Sequence, residues 1–219
     1  MRTLNTWARS LLLCSGLALS ACATQGLSSA ELDQLTQSVV AQSFRTEGQA
    51  QLDRVQPDED NRLCAESDRT GVALDPKLTQ AIEARNMATV KPPSDGKYLG
   101  DWKEGERIAQ DGRGKTWTDA ATMANGGNCY NCHQISQQEL SYGTLGPSLY
   151  NYGKLRAVAN PASPESKPIV EYTWGKLINS RAYNACSSMP RFGHKGILTE
   201  AQIKHVMALL LDPASPINQ

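Results

Sequence analysis

Cys129-Tyr130-Asn131-Cys132-His133 decides how the rest of this chain is read. Two thiols at i and i+3 on a tight helical turn can add to the two vinyl groups of one porphyrin. The imidazole that directly follows the second thiol then lies under the ring plane, where it can bind iron. C-x-x-C-H is the pattern of covalent haem c attachment. The competing readings are a chance match or half of a zinc site. Zinc needs a second Cys/His pair at compact spacing, and the remaining candidates are scattered along the chain.

Working outward, the N-terminus agrees with chemistry performed outside the cytoplasm. Residues 1–21 carry basic Arg2 and Arg9, an apolar run from Leu11 to Leu19 and small residues at the end. This is the form of a secretory signal, and it is too short for a spanning helix. Leu19-Ser20-Ala21-Cys22 has the form of a lipobox, which would make Cys22 a lipidated N-terminus. Ala21-Cys22-Ala23 also fits ordinary signal-peptidase cleavage, and the lipobox is the favoured of the two. No other stretch has the length and apolarity of a membrane span. The expected location is the periplasm, with membrane attachment only through that lipid.

Composition excludes other classes. The chain balances 22 basic against 22 acidic residues, which is no electrostatic footprint for nucleic acid. About 200 residues remain after cleavage, enough for one domain with a large extension. Aromatic residues make up only 6%, so a bound porphyrin would supply much of the apolar core.

Six cysteines divide cleanly. Cys14 leaves with the signal, Cys22 is lipidated or removed, and Cys129 and Cys132 belong to the C-x-x-C-H motif. Cys64 and Cys186 remain as an even pair in an oxidising compartment, and a disulfide between them is expected. Two separate thiols are the alternative, because 122 positions of separation do not show that they meet.

The pattern predicts an all-α fold: a small cytochrome c-type domain over 97–219 with a helical N-terminal extension and linker over 24–96. In the extension, Leu32, Leu35, Val39 and Val40 follow helical spacing from Ser29 to Phe44. Asp75-Pro76 opens a second helix to about Met87. The acidic run from Pro57 to Asn61 reads most simply as a solvated loop, with a docking role as the minor alternative. In the domain, a short helix runs from Asp101 to Ala109, with Gly105 and Ala109 on one face for close approach of another helix. Thr199 and Gln202 form a capping box ahead of the stripe Ile203, Val206, Met207, Leu210, Leu211. Met207 is therefore a core residue, and His205 falls on the opposite, solvated face.

For the second axial position, Met189 in Ser188-Met189-Pro190 is the leading donor, because proline stiffens the chain just after it. His194 is next, and Cys186 is a thiolate competitor that a disulfide would remove. On the proximal side, a backbone carbonyl near Gly146-Pro147-Ser148-Leu149 can accept the second ring N–H of His133, with Pro147 as the supporting residue. Tyr172, Trp174, Leu177 and Ile178 are candidates for apolar wall.

Three segments carry a family resemblance: Thr144-Leu145-Gly146-Pro147-Ser148-Leu149, the loop from Cys186 to Gly193, and the helix that runs into Leu211-Asp212-Pro213-Ala214-Ser215-Pro216-Ile217-Asn218. Together with the C-x-x-C-H motif they resemble SoxX, the monohaem cytochrome c subunit of the thiosulfate-oxidising SoxAX complex, over about Tyr98 to Gln219. The resemblance implies one covalent haem c on Cys129 and Cys132, with His133 and Met189 as axial ligands. It also implies a SoxA-like dihaem or monohaem partner, a SoxY-type carrier protein and a downstream cytochrome c. SoxAX acts as an L-cysteine S-thiosulfotransferase. The SoxX-like chain would take up electrons and carry no catalytic residue of its own. Cys186 in the ligand loop and the long extension with Cys64 depart from the family pattern. A free-standing electron-transfer cytochrome and a haem sensor remain as alternatives.

Overall fold

The computed structural model describes residues 26–219, and the signal and Cys14 and Cys22 lie outside them. The described residues are helical, and they contain no strand beyond one isolated bridge between Glu47 and Ala50. Seven α-helices follow in order: α1 Ser29–Ser43, α2 Glu59–Thr70, α3 Pro76–Met87, α4 Trp102–Gln110, α5 Tyr152–Leu155, α6 Lys167–Ile178 and α7 Glu200–Leu211. Short 3₁₀ turns lie at Leu52–Val55, Cys129–Asn131, Ser180–Ala182 and Pro216–Asn218.

The described residues fall into two units, one ending at Phe44 and the other running Arg45–Gln219. In the first, α1 opens on a full capping box between Ser28 and Glu31 and buries none of its residues. In the second, residues 45–96, expected as an extension, belong to the same compact unit as the Cys129–His133 turn.

Helices start where their caps allow. Asp75 accepts the backbone N–H groups of Lys77 and Leu78, with Pro76 opening α3. Asp101 accepts from Lys103 at the head of α4. Thr199 and Gln202 complete the reciprocal box of α7. Each such cap satisfies donors that the first helical turn leaves without partners.

The core is built on α4 crossing α7. Gly105 is buried against α7, and a Cβ there would stand 2.1 Å from the His205 carbonyl oxygen. The two backbones can touch at this point only because a side chain is missing. Around the crossing, Ile108, Ala109, Ile203, Val206, Met207 and Leu210 are buried together with Val170, Trp174 and Leu177 of α6. Met207 is completely enclosed.

Two expectations are corrected. His205 is half-buried rather than solvated: its Nδ1 accepts the Asp101 N–H at 2.9 Å, so this face of α7 packs on the start of α4. The acidic run is not a solvated loop either. Asp58 caps α2 by accepting the Asn61 N–H at 2.9 Å, and Asp60 in its first turn is buried. Burial of a carboxylate requires partners, and Arg85 and Arg181 supply them.

Candidate functional site

The Cys129–His133 segment folds as one tight turn. The Cys132 and His133 N–H groups both donate to the Cys129 carbonyl, at 3.1 and 2.9 Å. Cys129 and Cys132 are free, half-buried thiols. Burial pushes the Cys129 thiol up to about 12, so it is protonated at neutral pH. Between the thiols, Tyr130 is buried and donates its hydroxyl to the Glu106 carboxylate at 2.8 Å. This bond pins the turn to α4. Burial, followed by the Glu106 hydrogen bond and charge, raises the Tyr130 pKa.

His133 is oriented from behind. Its Nδ1 lies 2.7 Å from the Pro147 carbonyl oxygen. A carbonyl only accepts, so Nδ1 carries the proton and Nε2 is left with its lone pair. This is the arrangement of a metal-binding imidazole with a backbone second partner. Gly146 makes room for the ring: a Cβ there would lie 2.1–2.7 Å from His133 Cε1, Nδ1 and Nε2. The loop is fastened to the turn by the Gly143 N–H to Tyr130 O and Gly146 N–H to Cys132 O bonds, each 2.8 Å. On that loop Leu140 and Leu145 are 99% and 75% exposed. Two thiols, an oriented imidazole and exposed leucines on one loop suit a flat apolar macrocycle. Cys129, Cys132 and His133 are the residues that would hold it. Among the described residues, no three His, Cys, Asp or Glu side chains are grouped as a metal site, whereas structural zinc takes four ligands.

Met189 is half-buried and packs against the same apolar core as Cys129. It sits in an irregular stretch between the Ser180–Ala182 turn and α7, where its carbonyl accepts the Ser180 hydroxyl at 2.7 Å. A cavity of about 610 Å³ beside it is lined by Asn61 and Cys64 of α2 and by the segment from Cys186 to Arg191. His194 is exposed and lines a different hollow with Trp174, Ile178 and Glu200. Trp174 and Leu177 are buried, Trp174 donating its indole N–H to the Lys91 carbonyl at 2.7 Å. Tyr172 is exposed and stacks edge-on against Tyr183.

Cys64 and Cys186 form a disulfide, S–S 2.01 Å, joining α2 to the Met189 segment. A second set of contacts runs beside it. Asp58 receives Arg191 at 2.5 Å and Arg181 at 3.2 Å, with Lys195 at 3.7 Å. Arg181 also donates to the Asn61 side chain. Asp60 pairs with Arg85 and accepts from Asn86 at 2.9 Å. Partial burial alone raises the Asp58 pKa. The Arg191 and Asn61 hydrogen bonds and the charges of Arg191 and Arg181 outweigh it and hold the carboxyl well below the usual range. Sequence reasoning missed Asp58, Asp60, Arg181 and Arg191 because no local pattern marks pairs more than 120 positions apart. It missed the Tyr130–Glu106 bond for want of any signal linking the two elements.

No family model matches the chain. A protein of Aquifex aeolicus (strain VF5) named "Uncharacterized lipoprotein" is 35% identical over 133 residues, 60% of this chain and 59% of that protein. The chain thus spans less than two thirds of its relative's length. Among the described residues, no helix is long and apolar enough to cross a membrane.

Proposed function

We propose that this chain is an exported c-type cytochrome, an electron-transfer subunit of the SoxX kind. Cys129 and Cys132 would hold the haem c covalently, and His133 and Met189 would bind its iron. The observation that carries this reading is the His133 ring: its Nδ1 is committed to the Pro147 carbonyl at 2.7 Å beside two free thiols, leaving Nε2 to bind metal. The bound group supplies one-electron iron chemistry, and imidazole-plus-thioether ligation favours the reduced form relative to nitrogen-only ligation.

The protein's own residues orient and shield. Pro147 and Gly146 fix the imidazole, and Glu106 holds Tyr130 and with it the thiol turn. If His133 and Met189 both held the iron, no position would be open to substrate, and the sulfur chemistry would belong to a SoxA-like partner. Joining thiosulfate to a carrier thiol of the SoxY type releases one proton and two electrons. This subunit takes those electrons singly and passes them to a downstream cytochrome c. The location is the periplasm, and Cys22 as a lipidated N-terminus fits the printed name of the Aquifex relative. A second reading is a lipid-anchored free-standing cytochrome, of which that name supports only the lipid anchor.

The test is purification from the native host, with co-purifying chains identified and spectra recorded for wild type and Met189→Ala. The expected result is a stable pair with a second haem protein and thiosulfate-dependent reduction that requires that partner. The substitution should abolish the sulfur-to-iron charge-transfer band. A monodisperse monomer favours the second reading, and a band that survives Met189→Ala refutes the distal ligand.

A further inference from the structure

The Met189 segment has no regular structure between Ala182 and Glu200, yet it is fastened on both sides of Met189 to the first two turns of one helix. Three positions before Met189, Cys186 is bonded to Cys64 of α2. Two positions after it, Arg191 donates to Oδ2 of Asp58, the α2 cap, at 2.5 Å. Arg181, in the turn just before the segment, donates to Oδ1 of the same carboxylate at 3.2 Å. The Arg181 and Arg191 side chains are only 10% and 12% exposed. Desolvation offsets much of the attraction in a buried ion pair, but stripping out one partner is costly because it leaves uncompensated charge. An unfastened loop of this kind would sample many conformations, and each ordering contact removes entropy that a ligand bond would otherwise have to overcome.

We propose that Asp58 is a positioning residue for the distal ligand: by holding Arg181 and Arg191 around Met189, it keeps the thioether on iron against exchange with outside ligands. The proposal rests on the His133/Met189 assignment above. Asp58 itself touches neither iron nor Met189 in this role. It acts through the two arginines, and Cys64–Cys186 supplies the covalent half of the same clasp.

The experiment uses the full-length holoprotein, with imidazole as the competing ligand for ferric iron. Asp58→Asn keeps an oxygen to accept the Asn61 N–H, so α2 stays capped, while the charge that holds the arginines is lost. The expected result is an apparent imidazole affinity raised about tenfold, equivalent to about 1.4 kcal/mol. Hydrogen exchange should quicken at residues 187–192, a readout independent of the iron. Arg191→Gln, which leaves the cap untouched, should give the same two changes, and it stands in if Asp58→Asn fails to mature. Tyr152→Phe, which removes a buried hydroxyl bond to Thr173 elsewhere, should lower stability without changing imidazole affinity. A wild-type protein with the charge-transfer band and an Asp58→Asn protein of unchanged imidazole affinity overturn the role of Asp58 alone. A wild-type protein without that band overturns the ligand assignment, and the proposal with it.

Discussion

His133 shows how one ring is prepared by two neighbours. The Pro147 carbonyl chooses the tautomer, and the bare Cα of Gly146 gives the ring its place. Gly146→Ala would press a methyl into the imidazole, and overpacking of this kind costs about 1–3 kcal/mol. Urea unfolding should show that loss, and an unchanged midpoint would mean that the loop does not cradle the ring. The C-x-x-C-H spacing and the Gly-Pro turn were both legible in the sequence, because each is a local pattern. The Asp58 carboxyl was not legible, since its meaning comes from partners brought in from the other end of the chain. Its depressed pKa fixes a sign. Stability from Asp58 is fully present above its unfolded pKa of about 3.9 and is lost as pH falls through the lower folded value. The stability gap between wild type and Asp58→Asn should therefore stay constant from about pH 8 to 5 and close in stronger acid. Urea midpoints across that range check it, and a gap that closes near neutrality would contradict the pairing.

Elements with apolar stripes and caps announced themselves. α1, α3, α4 and α7 all begin at the Ser, Asp or Thr caps that the chain spells out. α2 did not, because its sequence from Glu59 to Thr70 is acidic and polar and it docks by ion pairs and a disulfide rather than an apolar stripe. His205 was misplaced for a related reason. Helical periodicity tells which face of α7 is apolar, but not that the polar face receives the backbone of α4. The α4–α7 crossing offers a test of sign. In an isolated helix, Gly→Ala gains up to about 1 kcal/mol. Here the added Cβ meets the His205 carbonyl and the Leu209 side chain, so Gly105→Ala should destabilise by about 1–3 kcal/mol. A thermal midpoint that rises would show that the two helices can separate without cost.

At the scale of the molecule, α2 and α3 are part of the site's scaffold. Asn86 of α3 accepts the Asn179 amide at 2.9 Å while donating to Asp60, and Glu83 accepts the Ala185 N–H at 3.2 Å. Two helices within the stretch read as an extension thus clamp the segment that bears Met189. The Cys64–Cys186 bond closes a loop of 122 positions, and on the chain-entropy account such a link stabilises by up to about 5 kcal/mol. Replacing both cysteines by serine should lower the unfolding midpoint and loosen residues 183–199 first, as hydrogen exchange can show. Uniform loosening would mean that the bridge is not local to the Met189 segment. The central claim, that the turn at Cys129–His133 carries covalent haem, is met most directly by mass spectrometry of the peptide spanning it. Protein made in a host that matures c-type cytochromes should yield that peptide with one haem added across Cys129 and Cys132, and none after both are changed to alanine. A wild-type peptide with two free thiols would contradict it.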